Sequence, residues 1–186
     1  QTALAHIDAF DDSLARSLVL GSLWERLRDG ALAPSEFVEV LLRVIPVEEH
    51  TVVLRTILRT TKQIPSMLLA TLRWFLPEAA RPALVDKSVG VIRTALDAAV
   101  PGSDKQQQLV VAYAALARHT DDLTRLRGIL DGSVLVEGLS VDQDLRWTLL
   151  TQIAAAGGVS EADIAAEVER DPSLAGREQA LKARAA

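Results

Sequence analysis

Along most of this chain apolar residues recur at intervals of three and four, the spacing that lines one face of an α-helix. The first such pattern runs from Asp11-Asp12 to Gly30. Aspartates suit a helix start, where unpaired N–H groups and the positive dipole end meet a carboxylate, and glycine suits a helix stop. Leu14, Leu18, Leu23 and Leu27 form the expected stripe, with Leu20 and Trp24 beside it. Residues 1–10 read as a short helix or a frayed start. Pro34 opens a second helix carrying Phe37, Val38, Leu41, Leu42 and Ile45, and Pro46 ends it. Glu48 and Glu49 are expected to open a third, with Leu54, Ile57, Leu58 and Thr61 inside and Arg55 and Arg59 in its later turns. Pro65 starts a fourth, with Leu68, Leu69, Leu72, Phe75 and Leu76, and Pro77 ends it. A fifth covers residues 81–100, with Val85, Val89, Ile92 and Leu96 facing inward.

Pro101-Gly102 is a break. Ser103 and Gln106 then form an S-x-x-Q capping pattern before a sixth helix with Leu109, Val110, Tyr113, Leu116 and Ala117. Thr120 is expected to cap a seventh, with Leu123, Leu126 and Leu130, which Gly132 ends. Ser140 and Gln143 repeat the S-x-x-Q pattern before an eighth with Leu145, Leu149, Leu150 and Ile153. After Gly157-Gly158, Ser160 caps a short ninth helix with Ile164 and Val168. Asp171-Pro172 is a turn, and the polar, alanine-rich residues 173–186 predict a last helix that frays. The fold class is therefore all-α. Short connections and helices apolar on more than one face predict a right-handed α-solenoid of about nine or ten antiparallel helices, HEAT- or armadillo-like, with a compact orthogonal helical bundle as the alternative. No fixed-period sequence repeat is present, so the array would be degenerate. Residues 1–186 are expected to form a single helical domain.

Composition sharpens this picture by exclusion. Aromatics make up only 4% of the 186 residues, so aliphatic side chains and alanine must fill the core. A net charge of −5 lacks the basic stripe that a nucleic-acid surface needs. There is no cysteine, hence no disulfide and no thiolate metal site. No run approaches the roughly 18 apolar residues of a membrane span, and no signal peptide is visible. A cytoplasmic location is expected on these grounds. The chain opens on Gln1, so a piece of a longer protein is expected.

Candidate chemistry is sparse. His6, His50 and His119 form no H-E-x-x-H pair, and an exposed helix start accounts for Glu48-Glu49-His50. There is no G-x-S-x-G elbow, P-loop or dinucleotide fingerprint, so no catalytic or metal residue is assigned. Trp24, Trp74 and Trp147 sit among leucines, which points to packing. The least generic stretch is residues 131–150, D-G-S-V-L-V-E-G-L-S-V-D-Q-D-L-R-W-T-L-L. Asp142 and Arg146 stand at i, i+4, acid first, the favourable order for a helix pair. One reading is an exposed ion pair worth at most about 0.5 kcal/mol. The other makes Asp142, Asp144 and Arg146 contacts to a cavity or to another domain.

Three strings carry a family resemblance: residues 17–30 (S-L-V-L-G-S-L-W-E-R-L-R-D-G), 37–43 (F-V-E-V-L-L-R) and 139–150 (L-S-V-D-Q-D-L-R-W-T-L-L). With Asp171-Pro172 and Gly176-Arg177 near the end, they resemble the C-terminal helical domain of bacterial aminopeptidase N, a gluzincin zinc metallopeptidase. The resemblance begins at about Asp11 and covers nearly the whole chain. It implies a bowl of HEAT-like helix pairs, the distal part of that C-terminal domain. It also implies that zinc, its H-E-x-x-H ligands and the catalytic tyrosine belong to an upstream catalytic domain, since none of those motifs matches here. Tyr113 stands in a packed-helix context instead. The implied role is non-catalytic: this region caps the active-site cavity of an enzyme that removes N-terminal residues from peptides and limits substrate access. The implied partners are the upstream domain and the distal part of the peptide, with no nucleic acid and no membrane. A stand-alone α-solenoid scaffold for a protein partner is the alternative, and a small-ligand-binding helical domain of a regulator is a third reading.

Overall fold

The structure, a computed structural model, describes residues 6–58 and 66–186. Every regular element among them is helical. After a 3-10 turn at Ile7–Ala9 come α1 (Ser13–Arg28), α2 (Pro34–Val47), α3 (Thr51–Leu58) and α4 (Met67–Ala70), which runs into a π-turn at Thr71–Phe75. A 3-10 turn at Glu78–Ala80 leads into α5 (Arg81–Ala98). Then follow α6 (Asp104–Leu116), α7 (Thr120–Asp131), α8 (Gln143–Ala155), α9 (Glu161–Arg170) and α10 (Leu174–Ala185). The expectations for Arg59, Thr61, Pro65 and residues 1–5 lie outside the described residues. The remaining contacts fall into two compact units, described in turn.

The first unit comprises Gln1–Ala99 and Asp104–Ala112. At its centre is α2, with Phe37, Val38, Val40, Leu41, Leu42, Val44 and Ile45 all buried. A helix apolar all round must be surrounded, and α1, α3, α5, the Ile7–Ala9 turn and the π-turn pack against it. From α1 the buried stripe is Arg16, Leu20, Leu23 and Leu27. Leu14 and Leu18 were expected inside and are exposed, because at 100° per residue they fall on the side opposite that stripe. Trp24 lies with its ring centroid 5.8 Å from both Phe37 and Phe75.

Two boundaries shift from expectation. Helix α2 passes Pro46 and closes at Val47, with Glu48 N–H donating to the Val44 carbonyl. Helix α3 opens at Thr51 rather than at the glutamates. The Glu48 carboxylate accepts the His50 N–H at 2.8 Å, which fixes residues 48–50 as a connector. The expected fourth helix is also interrupted. Ser66 caps α4 through Leu69 N–H, and Leu76 N–H then reaches the Thr71 carbonyl, an i to i+5 bond. A π-turn leaves neighbouring carbonyls short of donors. Arg81 supplies them, donating to the Leu72 and Leu76 carbonyls at 3.0 and 3.3 Å. Trp74, expected in the core, stands exposed on this turn. The start of α6 follows directly on Ser103, as its capping pattern indicates. Its first turns are tied to this unit by Lys105, which donates to Pro46 O and Glu49, and by Gln108, which donates to Thr51 O.

The second unit comprises Val100–Ser103 and Tyr113–Ala186. Helix α7 has His119, not Thr120, at its capping position and ends on Gly132 at φ 86°, a left-handed stop. The loop that follows folds back closely. Val134 N–H donates to Gly128 O, and a Cβ on Gly128 would sit 2.5 Å from Val134 Cγ2. Helix α8 is capped by Asp142 through Leu145 N–H, two residues beyond the expected Ser140. Ser160 and Asp163 make a full capping box on α9. Segment 173–186 does not read as fraying here: α10 packs against α8 and α9. Trp147, Leu150, Ile164, Ala180 and Ala183 form the core of these three helices.

Candidate functional site

The three residues singled out in D-x-D-L-R-W are not brought together as a cluster. Asp142 is spent on the helix cap. Asp144 is exposed in the first turn of α8, and its carbonyl accepts the Thr148 hydroxyl. Arg146 alone turns inward, with 17% of its side chain exposed. Its partner is Glu167 on α9, not Asp142, so the expected i, i+4 pair is not the one formed. Nε meets Glu167 Oε1 at 2.8 Å and Nη2 meets Oε2 at 2.6 Å, a bidentate clamp. Nη1 donates to the Leu130 carbonyl at the end of α7 at 2.7 Å. One guanidinium therefore joins α7, α8 and α9. Gln143 adds a third donor to Glu167 at 3.1 Å. The Arg146 hydrogen bonds hold the Glu167 carboxyl below the usual range, outweighing burial, and Glu167 in turn raises Arg146.

The neighbouring tryptophan extends the same junction. Trp147 Nε1–H donates to Asp171 Oδ2 at 2.8 Å, just beyond α9. Hydrogen bonds from Ser173 and then Trp147 lower the Asp171 carboxyl. A Cβ on Gly176 would lie 2.5 Å from that same Oδ2 and against the Asp171 carbonyl, so only glycine fits. The R-W pair and the D-P-x-x-x-G pattern are thus two halves of one junction.

A second buried pair, in the first unit, went unseen in the sequence. Arg16 Nε donates to Glu48 Oε2 at 2.8 Å, and Glu48 is fully buried. Ser13 and His50 N–H satisfy Glu48 Oε1, while Arg16 also reaches Ser13 and the Phe10 carbonyl. Burial pushes the Glu48 carboxyl up, and these donors, Arg16 foremost, bring it below its usual value. The Glu48-Glu49-His50 run is accordingly no exposed helix start: Glu48 is interior, and Glu49 pairs with Lys105 at 2.6 Å. A usable signal did exist. Arg16 stands four before Leu20 and Glu167 three after Ile164, so each charge occupies an inward helical position. Tyr113 is buried too, its hydroxyl donating to Asp122 at 2.7 Å.

The comparisons with known proteins bear on what such junctions belong to. A family model described as an ERAP1-like C-terminal domain matches residues 1–186. The chain belongs to that family. Aminopeptidase N of Streptomyces lividans is 37% identical over 181 residues, covering 97% of this chain and 20% of the relative. The chain thus spans about a fifth of that relative's length. In this ERAP1-like C-terminal domain no three His, Cys, Asp or Glu side chains among the described residues converge to hold a metal ion. These described residues do not fit the zinc that the aminopeptidase resemblance implies. Nor is any helix among the described residues long and apolar enough to cross a membrane.

Proposed function

We propose that this chain is the distal, non-catalytic part of the C-terminal region of a zinc aminopeptidase that removes N-terminal residues from peptides. The family match along residues 1–186, joined to a relative named aminopeptidase N, carries this reading. Residues 1–186 act as one helical element of the larger enzyme, in the cytoplasm. Zinc and the reacting groups reside in an upstream domain, the partner of this one. The helical region caps the active-site cavity and restricts entry to peptides and unfolded ends. The junctions described above suit that work, because a cap that limits access must hold its helices in fixed register. In this reading Arg146 is a positioning residue: it aligns three helices and reaches no peptide itself. Asp142 fixes the start of α8, and Asp142 and Asp144 are both exposed, so either is open to a domain or peptide contact.

The division of labour is testable with the isolated 186-residue chain and the longer native polypeptide. Supplied with zinc, the isolated chain leaves alanyl and leucyl anilides intact, whereas the longer polypeptide hydrolyses them. Turnover by the isolated chain that survives repurification and disappears with a chelator overturns the proposal.

A further inference from the structure

The loop between α7 and α8, residues 132–142, is braced along its length. At its base Arg146 Nη1 holds the Leu130 carbonyl, and Asp131 accepts the Ser133 N–H at 2.8 Å. Val134 N–H closes onto Gly128 O, and Leu139 N–H returns to the Val136 carbonyl. Gly138, at φ 75°, lies so close on Pro101-Gly102 that a Cβ there would sit 2.5 Å from Pro101 Cβ. What this frame presents to solvent is apolar. Val134, Leu135 and Val136 are consecutive, and Leu135 is 87% exposed, the most of any large hydrophobic side chain among the described residues. A solvated turn has no use for such a run, and a surface that keeps one is a contact surface. The exposed Leu174 and Leu181 of α10 differ, because they share a helix with Arg177, Lys182 and Arg184, whose long stems can shield apolar neighbours.

The shape and charge of the loop decide what it meets. A projecting leucine on a fixed loop fills a pocket, and pockets belong to folded partners, not to flexible peptides. Between Gly128 and Leu145 the sequence holds Asp131, Glu137, Asp142 and Asp144 and no lysine or arginine. All four acids are exposed, so two copies meeting loop to loop would set like charges against each other. The complementary partner offers an apolar pocket with a basic rim. The relative has about four-fifths of its length outside the matched region, and the family is a C-terminal domain, so a large folded partner lies in the same polypeptide. We infer that Leu135 is a docking knob that seats in an apolar, basic-rimmed pocket of the upstream part of the same polypeptide. The inference rests on the reading of this chain as part of a longer enzyme. The bracing of the loop favours docking, since a loop already in its bound shape loses little entropy on contact.

Hydroxyl-radical footprinting of the longer native polypeptide tests this. Leu135 should be labelled about tenfold or more slowly than a leucine in a short unfolded peptide, and the protection should survive dilution. Protection should weaken as ionic strength rises from about 0.05 M to about 0.5 M, because screening loosens the basic rim. In Leu135→Asp the neighbouring Val134 should be labelled about tenfold faster than in the native polypeptide, while Leu181→Asp leaves it unchanged. That variant alters an exposed tip, so the helices around it keep their fold. Leu135 labelled like the unfolded peptide, in a polypeptide that hydrolyses alanyl anilide, overturns the inference and spares the proposed function. Protection lost on dilution also overturns it, assigning the loop to a second copy, and protection indifferent to salt overturns the basic rim. A longer polypeptide without zinc-dependent hydrolysis overturns both this inference and the proposed function.

Discussion

Each unit of this protein is built around a buried arginine–glutamate pair, and the two pairs solve the same problem differently. In the first unit Glu48 has no solvent exposure at all, and three donors converge on it: Arg16, Ser13 and the His50 amide. Burial is the strongest influence on its charge, and the hydrogen bonds overcome it. In the second unit Arg146 grips Glu167 with two parallel bonds and keeps a margin of solvent. There the guanidinium itself is the strongest influence. A carboxylate denied water depends on every donor around it, whereas a bidentate pair at the edge of a core depends mostly on its own geometry. The first arrangement should be the more brittle.

Arg16→Ala is therefore the harsher test. It strands a charge with no access to water and should cost about 3–5 kcal/mol, read as lost hydrogen-exchange protection in α1 and α2. Arg146→Ala removes charge-assisted hydrogen bonds at a site that water can reach, and should cost about 1.5–3 kcal/mol, read in α7, α8 and α9. Equal losses would break the comparison. A smaller effect comes from acid. Both glutamates lie below their ordinary value in the folded chain. Unfolding then takes up protons, so their contribution is whole above the ordinary glutamate value of about 4.3 and drains as pH falls through the folded values. Stability measured from pH 6 down to pH 3 should decline below about pH 4.3 in the native chain, and less so in Glu48→Gln and Glu167→Gln. A profile identical in the native chain and both variants would remove the glutamates from the account.

How much of this was legible in the sequence differs by kind of feature. Helix interiors read well: Ile92, Leu96, Leu109, Tyr113, Leu149 and Ile153 are all buried where periodicity placed them. Stops at Gly30 and Gly132 also read well, since both adopt the positive φ that glycine alone takes cheaply. Starts were less secure. Asp142 won the cap from Ser140, both being competent acceptors two residues apart, and local pattern cannot rank them. Leu14, Leu18 and Trp74 look like core by type and are exposed. Leucine spacing alone does not say which of two apolar stripes on a helix meets a neighbour. The candidate site was half legible: Arg146 was found, but its partner was sought four residues away and lies twenty-one away.

By itself the sequence determined an all-helical chain, most of its inward leucines, its left-handed stops and its kinship. Those are properties of spacing, of glycine backbone freedom and of strings shared with a family. Only the tertiary structure decided that Glu48 is interior, that Arg146 joins three helices through Glu167 and Leu130, that Trp147 needs Asp171 beside Gly176, and that α1 keeps a bare apolar face. Each of those depends on which helices become neighbours. A charge or a tryptophan N–H takes whatever partner burial brings within about 3 Å, and chain distance has no part in that choice.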